Sequence, residues 1–180
     1  MICRTKNRTV RIILILIDME KKFELTDKFV FNTFGIKLFQ IKCTKSFKYA
    51  KEGDLGGYVE KDENLDQESD AWVYGDAWVS GNAQVSGDAW VSGDTQVSGD
   101  ADIENDNNHC GFDCFGSCNR HTHAYLTKDN KVEITCGCFR GSIEEFEKKV
   151  EKTHSGTIYE KQYKAIINVI KIKFGLTDLI

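Results

Sequence analysis

Cysteines and histidines are concentrated in the C-terminal part of the chain. Five of the seven cysteines and three of the four histidines lie between residues 109 and 138. Thiolate sulfur and imidazole nitrogen are the ligands that zinc prefers in proteins. The candidate zinc ligands are Cys110, Cys114, Cys118, Cys136, Cys138 and His154. Their spacings, C-x3-C-x3-C and C-x-C, lack the paired C-x2-C of zinc knuckles. Zinc is therefore one alternative, and free or packed thiols with no cofactor are the other.

A smaller set within this group could form a site by itself. Cys136 and Cys138 would end a strand, and a following helix could return His154 towards them. That arrangement would suit a metal, a Cys–His dyad or simple packing. No nucleophile elbow, phosphate-binding loop or paired-carboxylate motif occurs in the chain. We therefore expect no catalytic residue and favour a protein that is not an enzyme, with an acyltransferase as the alternative.

Residues 107–180 contain the elements that must position these side chains. The stretch HAYLTKDNKVEITC predicts a β-hairpin. The stretch GSIEEFEKKVEKTH predicts a helix, with Ser142 as N-cap and Glu145 completing a capping box. A second apolar stripe predicts a helix from about residue 159 to residue 173, ended by Gly175. We therefore expect a C-terminal ββαα domain, which makes the fold α+β in this segment.

Residues 71–104 repeat with a period of six. Aliphatic residues recur at Val73, Val79, Val85, Val91, Val97 and Ile103, and after each of the five valines a glycine follows two places later and a small residue four places later. A period of six fits neither a helix nor a long-stranded hairpin. It indicates a parallel β-helix, in which each hexad is one short strand and one corner and eighteen residues complete a coil.

The hexads resemble the left-handed parallel β-helix of hexapeptide-repeat proteins. The second position departs from that family, since it is Ser or Tyr here. The resemblance implies a mainly β fold with about two regular coils over residues 55–106. Val59 and Leu65 indicate a further, degenerate coil that is two residues out of phase with Val73.

An 18-residue coil predicts which side chains are neighbours. Val73 should lie next to Val91, and Trp72 should lie next to Trp90 on the outside of the same face, with Trp78 on the next face. Exposed tryptophans are common interface anchors. The set Trp72, Trp78 and Trp90 is therefore a candidate binding face, with a purely structural aromatic ladder as the alternative.

Both ends of such a short rod need covers, because open ends expose strand edges. Residues 19–54, which include the alternating stretch KFVFNTFGIKLFQIKC, predict an N-terminal β cap. Residues 1–18 contain basic residues and the apolar run IILILI, which is too short to span a membrane. We interpret residues 1–18 as an extension upstream of Met19, or else as an added strand.

Charge is distributed unevenly along the chain. Residues 1–51 carry 12 basic and 4 acidic side chains, whereas residues 52–106 carry 1 basic and 15 acidic side chains. Nucleic-acid binding by the acidic middle is disfavoured, because phosphate contacts need lysine and arginine. We expect a cytoplasmic protein with no membrane partner, whose partner is another protein or a second copy of itself, as a homo-oligomer.

A wider resemblance covers about residues 20–175. The combination of GDLGGYVEKDENL, the GDAWV hexads and TCGCFRGSIEEFEKKVEKTH resembles a group of uncharacterised proteins common in bacteriophages and prophages of Gram-positive bacteria. That resemblance implies a phage-type accessory protein that acts inside the host cell.

Three functions are compatible with these observations. The first is a non-catalytic scaffold that presents a small α+β module for protein binding or oligomerisation. The second is an acetyl-CoA-dependent acyltransferase of the hexapeptide-repeat type, although the hexads contain no histidine and His109 is the nearest. The third is a filament or virion component built from stacked rods. The covers expected at both ends favour the first.

Overall fold

A computed structural model describes residues 21–176 of the chain. The described part is mainly β, with thirteen strands in several sheets and two α-helices near the C-terminus. The extension expected at residues 1–18 lies outside the described residues.

The N-terminal part is an antiparallel hairpin with a third strand beside it. Strand β1 (Phe23–Phe31) pairs with β2 (Lys37–Cys43), and β2 pairs with β3 (Leu55–Val59). Gly35 has a φ of +76° in the β1–β2 turn, a backbone conformation that favours glycine. The alternating stretch around Gly35, from which the sequence predicted β-structure, thus belongs to two strands.

The hexads form six strands of two residues each. They are β4 (Trp72–Val73), β5 (Trp78–Val79), β6 (Gln84–Val85), β7 (Trp90–Val91), β8 (Gln96–Val97) and β9 (Asp102–Ile103). Three parallel pairs join residues eighteen positions apart: β4 with β7, β5 with β8, and β6 with β9. The predicted pairing of Val73 with Val91 and of Trp72 with Trp90 is confirmed.

The segment before these strands follows a longer spacing. Val59 in β3 pairs with Val79, and Leu65 forms a parallel bridge with Val85. Each pair is twenty residues apart instead of eighteen, so the extra two residues lie between Leu65 and Val73. The two-residue phase shift expected from the sequence is therefore confirmed.

Side chains of the hexads fill a narrow core. The six aliphatic residues at the repeat positions are fully buried, and the small residues four places later are buried with them. Burying each valine contributes about 1.5–3 kcal/mol. The core continues beyond the repeat into Phe23, Ile41 and Leu65 on one side and Tyr125 on the other.

The N-terminal hairpin and its flanking residues cover one end of this core. The ring of Phe23 lies 6.5 Å from that of Trp72, and Phe47 lies 5.4 Å from it on another side. The Lys22 ammonium donates 2.8 Å hydrogen bonds to the carbonyl oxygens of Ser69 and Ala71. Burial lowers the pKa of Lys22 to about 8.

The C-terminal sheet covers the other end. Thr135 Oγ1 donates to the Gln96 carbonyl oxygen at 3.2 Å, and the Tyr125 hydroxyl donates to the Ser98 carbonyl oxygen at 3.3 Å. The amide of Lys128 donates to the Asp100 carbonyl oxygen at 3.0 Å. These bonds satisfy carbonyl groups on the side of the hexad strands that faces the C-terminal sheet.

That sheet has four antiparallel strands in chain order: β10 (His109–Phe115), β11 (Arg120–Leu126), β12 (Val132–Cys136) and β13 (Phe139–Ser142). The predicted hairpin corresponds to β11 and β12, but the expectation of two strands in all was wrong. A register shift after Phe112 interrupts the alternation in β10, and β13 has only four residues including Gly141. Neither outer strand therefore carries a regular period of two.

Two helices pack on this sheet. Helix α1 (Ile143–His154) begins at the N-cap Ser142, and the capping box with Glu145 is present as predicted. Helix α2 (Ile158–Lys173) buries Tyr163, Ile166, Ile167 and Ile170, which is the stripe that the sequence indicated. Together with Ala124 and Ile134 of the sheet, both helices form a second core.

Candidate functional site

Four of the six candidate zinc ligands lie around one cavity of the C-terminal domain. Cys118, Cys136, Cys138 and His154 line a cavity of about 210 Å³ beside helix α1. Cys110 and Cys114 lie on β10 and do not line this cavity. Within residues 21–176, no group of three or more His, Cys, Asp or Glu side chains is arranged to hold a metal ion.

One wall of the cavity is apolar and rigid. Phe139 begins β13, and its ring lies 5.0 Å from that of Phe146 on α1. The Phe146 ring in turn meets the Tyr163 ring at 5.6 Å, nearly perpendicular. Val150, one turn after Phe146, is buried beside them. The capping box fixes where α1 begins and therefore which of its residues face this wall.

Cys136 lies on the inner side of the cavity, where its thiol is packed among hydroxyl groups. The Thr122 hydroxyl lies 3.3 Å from the Cys136 sulfur, and the Tyr163 hydroxyl lies 3.8 Å from it. Burial, with Cys136 as the next cause, raises the pKa of Tyr163. Tyr163 is therefore a neutral hydrogen-bonding group near neutral pH.

A tight turn brings Cys138 and Arg120 together. Gly137 and Cys138 connect β12 to β13, and Gly137 has a φ of +61°. A Cβ atom at Gly137 would collide with the Arg120 side chain, so the guanidinium lies directly over this turn. The Cys118 sulfur first, and then Cys136 and Cys138, raise the pKa of Arg120.

His154 closes the cavity from the end of α1. Its ring lies 5.5 Å from the Tyr163 ring and 6.0 Å from the Tyr159 ring. His154 therefore lies at the same cavity as Cys136 and Cys138, as expected if the helix returns it towards the strand. The arrangement shows ring packing and no hydrogen bond between His154 and a thiol among the described residues.

The remaining candidate cysteines have different surroundings. Cys110 is partly buried, and burial raises its pKa to about 11. Cys114 is exposed and has a φ of +62° at the irregular point of β10. At neutral pH a thiol like Cys110 stays protonated, which makes it a poor nucleophile.

The three tryptophans do not form one exposed face. Trp72 was expected on the outside, but it is fully buried. The reason is that Phe23 and Phe47 of the N-terminal cap fold over that face. Trp90 is partly buried, with Tyr49 at 5.1 Å and Tyr74 stacked at 5.7 Å. Trp78 is also partly buried.

Three histidines lie where the hexad region meets the C-terminal sheet. The sequence did not predict this cluster. His109 Nδ1 lies 3.0 Å from His123 Nε2. His121 Nε2 lies 3.2 Å from Thr95 Oγ1, and His121 Nδ1 lies 2.5 Å from a carboxylate oxygen of Asp113. The sequence feature that could have indicated this contact is Thr95, which occupies a position where the other hexads have alanine.

His123 is the buried centre of this group. Burial lowers the pKa of His123 well below its ordinary value, and the nearby His109 and His121 lower it further. Burial also lowers the pKa of His109, against the attraction of Asp106. Burial therefore favours the neutral imidazole at His123 and at His109.

No protein-family model matches this chain, and no curated protein matches it. None of the helices within residues 21–176 is both long and apolar enough to cross a membrane. The candidate site consequently has to be interpreted from its own chemistry.

Proposed function

We propose that this protein is a non-catalytic binding protein. In this proposal, residues 55–106 are a short left-handed parallel β-helix that serves as a rigid scaffold. The C-terminal domain is the part that binds the partner, and the partner is another protein. The observation that carries the proposal is the cavity beside α1, which is lined by side chains from three strands, two turns and both helices of the C-terminal domain.

The β-helix assignment is supported by the pairing pattern. Three pairs of strands share an eighteen-residue spacing, and the aliphatic residue of every hexad is buried. A scaffold of this kind is stiff, because each coil is hydrogen-bonded to its neighbours. The left hand of the coil follows only from the resemblance to hexapeptide-repeat proteins.

The surroundings of the cavity favour binding over catalysis. Tyr163 and Cys136 face each other, and His154 packs against aromatic rings. A catalytic histidine would need a hydrogen bond to its nucleophile and a third group to orient it. His154 has neither partner among the described side chains.

The other two functions receive less support. An acyltransferase of the hexapeptide-repeat type would need an accessible histidine at the rod, whereas His109 and His123 are in the joint with the C-terminal sheet. A filament would need open rod ends, whereas the N-terminal hairpin and the C-terminal sheet hydrogen-bond to them. A calorimetric titration with acetyl-CoA separates the acyltransferase from the binding protein.

The biological setting follows from the wider resemblance. We place the protein in the cytoplasm of a bacterial host, as an accessory protein of a phage or prophage that binds a host or phage protein. Self-association into a homo-oligomer is part of the same proposal.

Two neighbouring lysines of α1 provide the test. Lys149 lines the cavity and Lys148, which is equally exposed, does not. Tagged wild-type protein, Lys149→Glu and Lys148→Glu would each be used for affinity capture from host cells, followed by quantitative mass spectrometry. We expect wild type and Lys148→Glu to retain a common partner that Lys149→Glu loses.

The proposal is wrong if all three proteins retain the same set of partners in the same amounts. It is also wrong if wild type retains nothing beyond a tag-only control. Circular dichroism of the two variants checks that both are folded, which is expected because both side chains are at the surface.

A further inference from the structure

We infer that the cavity beside α1 binds a carboxylate attached to a small apolar group. The inference rests on the proposed function, because it names the chemistry that the proposed binding site takes. Three features of the cavity support it, namely an apolar wall, two cationic side chains without carboxylate partners, and a small cavity volume.

The charged side chains that line the cavity are all basic. Arg120 and Lys149 line the cavity together with His154, and none of its described lining residues is acidic. Elsewhere on the described surface, four lysines each pair with a carboxylate: Lys21, Lys42, Lys164 and Lys171. Within residues 21–176, neither Arg120 nor Lys149 forms such a pair. An anion entering the cavity would therefore meet two cations that no carboxylate of the described residues neutralises.

The Arg120 side chain is exposed and lies against the turn between β12 and β13. Its side chain lies over Gly137, where only a glycine leaves room for it. The sulfur atoms of Cys118 and Cys138 lie beside it. A guanidinium held in this way presents two parallel donors, which match the two oxygens of a carboxylate.

The opposite side of the cavity suits a ring or a short chain. Phe139, Phe146 and Val150 supply an apolar wall, and the contacts among the rings keep that wall in place. The volume of about 210 Å³ is below the range of about 300–1,000 Å³ that is usual for drug-sized ligands. The apolar part should consequently be no larger than one ring.

Two sources could supply this chemistry, namely a free organic acid and the C-terminal residue of a protein chain. If the ligand is the C-terminal residue of a partner protein, and that residue is aromatic or aliphatic, the cavity would be the place where the partner protein binds. The shared feature is the terminal carboxylate next to an apolar group, and the experiment below separates the two sources.

The test uses the full-length protein and four probes. The probes are 3-phenylpropionate, its neutral amide, a short peptide ending in phenylalanine with a free carboxylate, and the same peptide amidated. Binding is followed by calorimetry or by ligand-detected NMR. We expect saturable binding of at least one acid and none of either amide. Arg120→Gln and Lys149→Glu should each weaken binding about tenfold, because a charged hydrogen bond is lost, while Lys148→Glu should not.

Cysteine labelling gives a second readout that does not depend on the variants. Cys138 lines the cavity and Cys114 does not, yet both are exposed. The acid that binds should slow the alkylation of Cys138 by iodoacetamide and leave that of Cys114 unchanged. Mass spectrometry of the digested protein measures both rates in one sample.

The inference is overturned if neither acid binds to the wild-type protein, or if the amides bind as well as the acids. Equal binding by Lys149→Glu and Lys148→Glu would overturn it too. If no acid binds and Lys149→Glu still loses its partner in the capture experiment, this inference fails and the proposed function stands. If the acids bind and the capture finds no partner, the proposed function fails instead.

Discussion

At the scale of single residues, the corner glycines show how the hexads constrain one another. Gly87 and Gly93 occupy equivalent corners, with φ values of +62° and +71°. Their surroundings differ, because a Cβ atom at Gly87 would overlap the Glu104 carbonyl oxygen, whereas a Cβ atom at Gly93 would meet nothing within 4 Å. The same backbone conformation is therefore required at both corners, but close approach of another segment is required only at Gly87.

Replacing these two glycines by alanine should separate the two effects. Gly93→Ala should lower the free energy of unfolding by about 1–2 kcal/mol, the cost of a left-handed conformation for an L-residue. Gly87→Ala should cost a further amount of about 1–3 kcal/mol, because the added methyl group overpacks the site. Urea denaturation of both variants beside wild type measures the difference. Equal losses would show that the approach of Glu104 imposes no constraint.

At the scale of elements, the two ends of the hexad region are covered by different means. The N-terminal cap supplies aromatic rings over Trp72 and the buried Lys22 ammonium. The C-terminal sheet supplies hydrogen bonds from Thr135, Tyr125 and Lys128 to successive carbonyl groups. Both covers remove strand edges that would otherwise pair with another chain.

Removing the C-terminal cover should therefore cause association. A chain ending at residue 106 would expose the edges of β7, β8 and β9 and leave the carbonyl groups of Gln96 and Ser98 without their partners. We expect assemblies whose size grows with protein concentration, measured by light scattering. The full-length chain is the control and should keep one size over the same concentrations. A truncated chain that stays small and keeps its β circular dichroism would contradict this account.

At the scale of the whole molecule, the hexad region and the C-terminal domain meet at the cluster of His109, His121 and His123, which we call the histidine joint. His123 is in its centre, with His109 and His121 on either side of it and Tyr125 at 5.5 Å. The carboxylates of Asp106 and Asp113 face the two outer histidines. Because the central imidazole is fully buried, it cannot take a proton without losing stability.

This joint predicts that the protein becomes less stable in mild acid. The pKa of His123 is lowered in the folded protein, whereas an unfolded chain binds the same proton near pH 6.5. Unfolding therefore takes up a proton, and the stability that is complete above about pH 6.5 is lost as the pH falls. The slope should reach about 1.4 kcal/mol per pH unit for each such histidine.

His123→Gln is the informative variant, with His154→Gln as the control outside the joint. We expect His123→Gln to lose less stability between pH 7.5 and pH 5.5 than wild type, measured by urea denaturation at each pH. His154→Gln should behave like wild type. An unchanged pH dependence in His123→Gln would remove the histidine joint as the cause.

The candidate site was predictable only in part. The sequence indicated that Cys136, Cys138 and His154 could lie together, because a strand, a turn and a capped helix can return the chain on itself. Arg120 and Lys149 carried no such signal, since an arginine in a strand and a lysine on a helix are ordinary surface residues. The structure brings both to the same cavity through the pairing of β11 with β12 and the packing of α1 on the sheet.

The sequence by itself determined the features that repeat or that depend on a few neighbouring residues. The eighteen-residue register, the corner glycines and the capping box at Ser142 are of this kind, because strand geometry and helix ends impose local rules. Only the tertiary structure decided that Trp72 is buried, that β10 and β13 widen the C-terminal sheet, and that three histidines lie at one joint. Each of these depends on which distant segment covers a surface, and that choice minimises the exposed apolar area of the whole chain instead of following any local pattern.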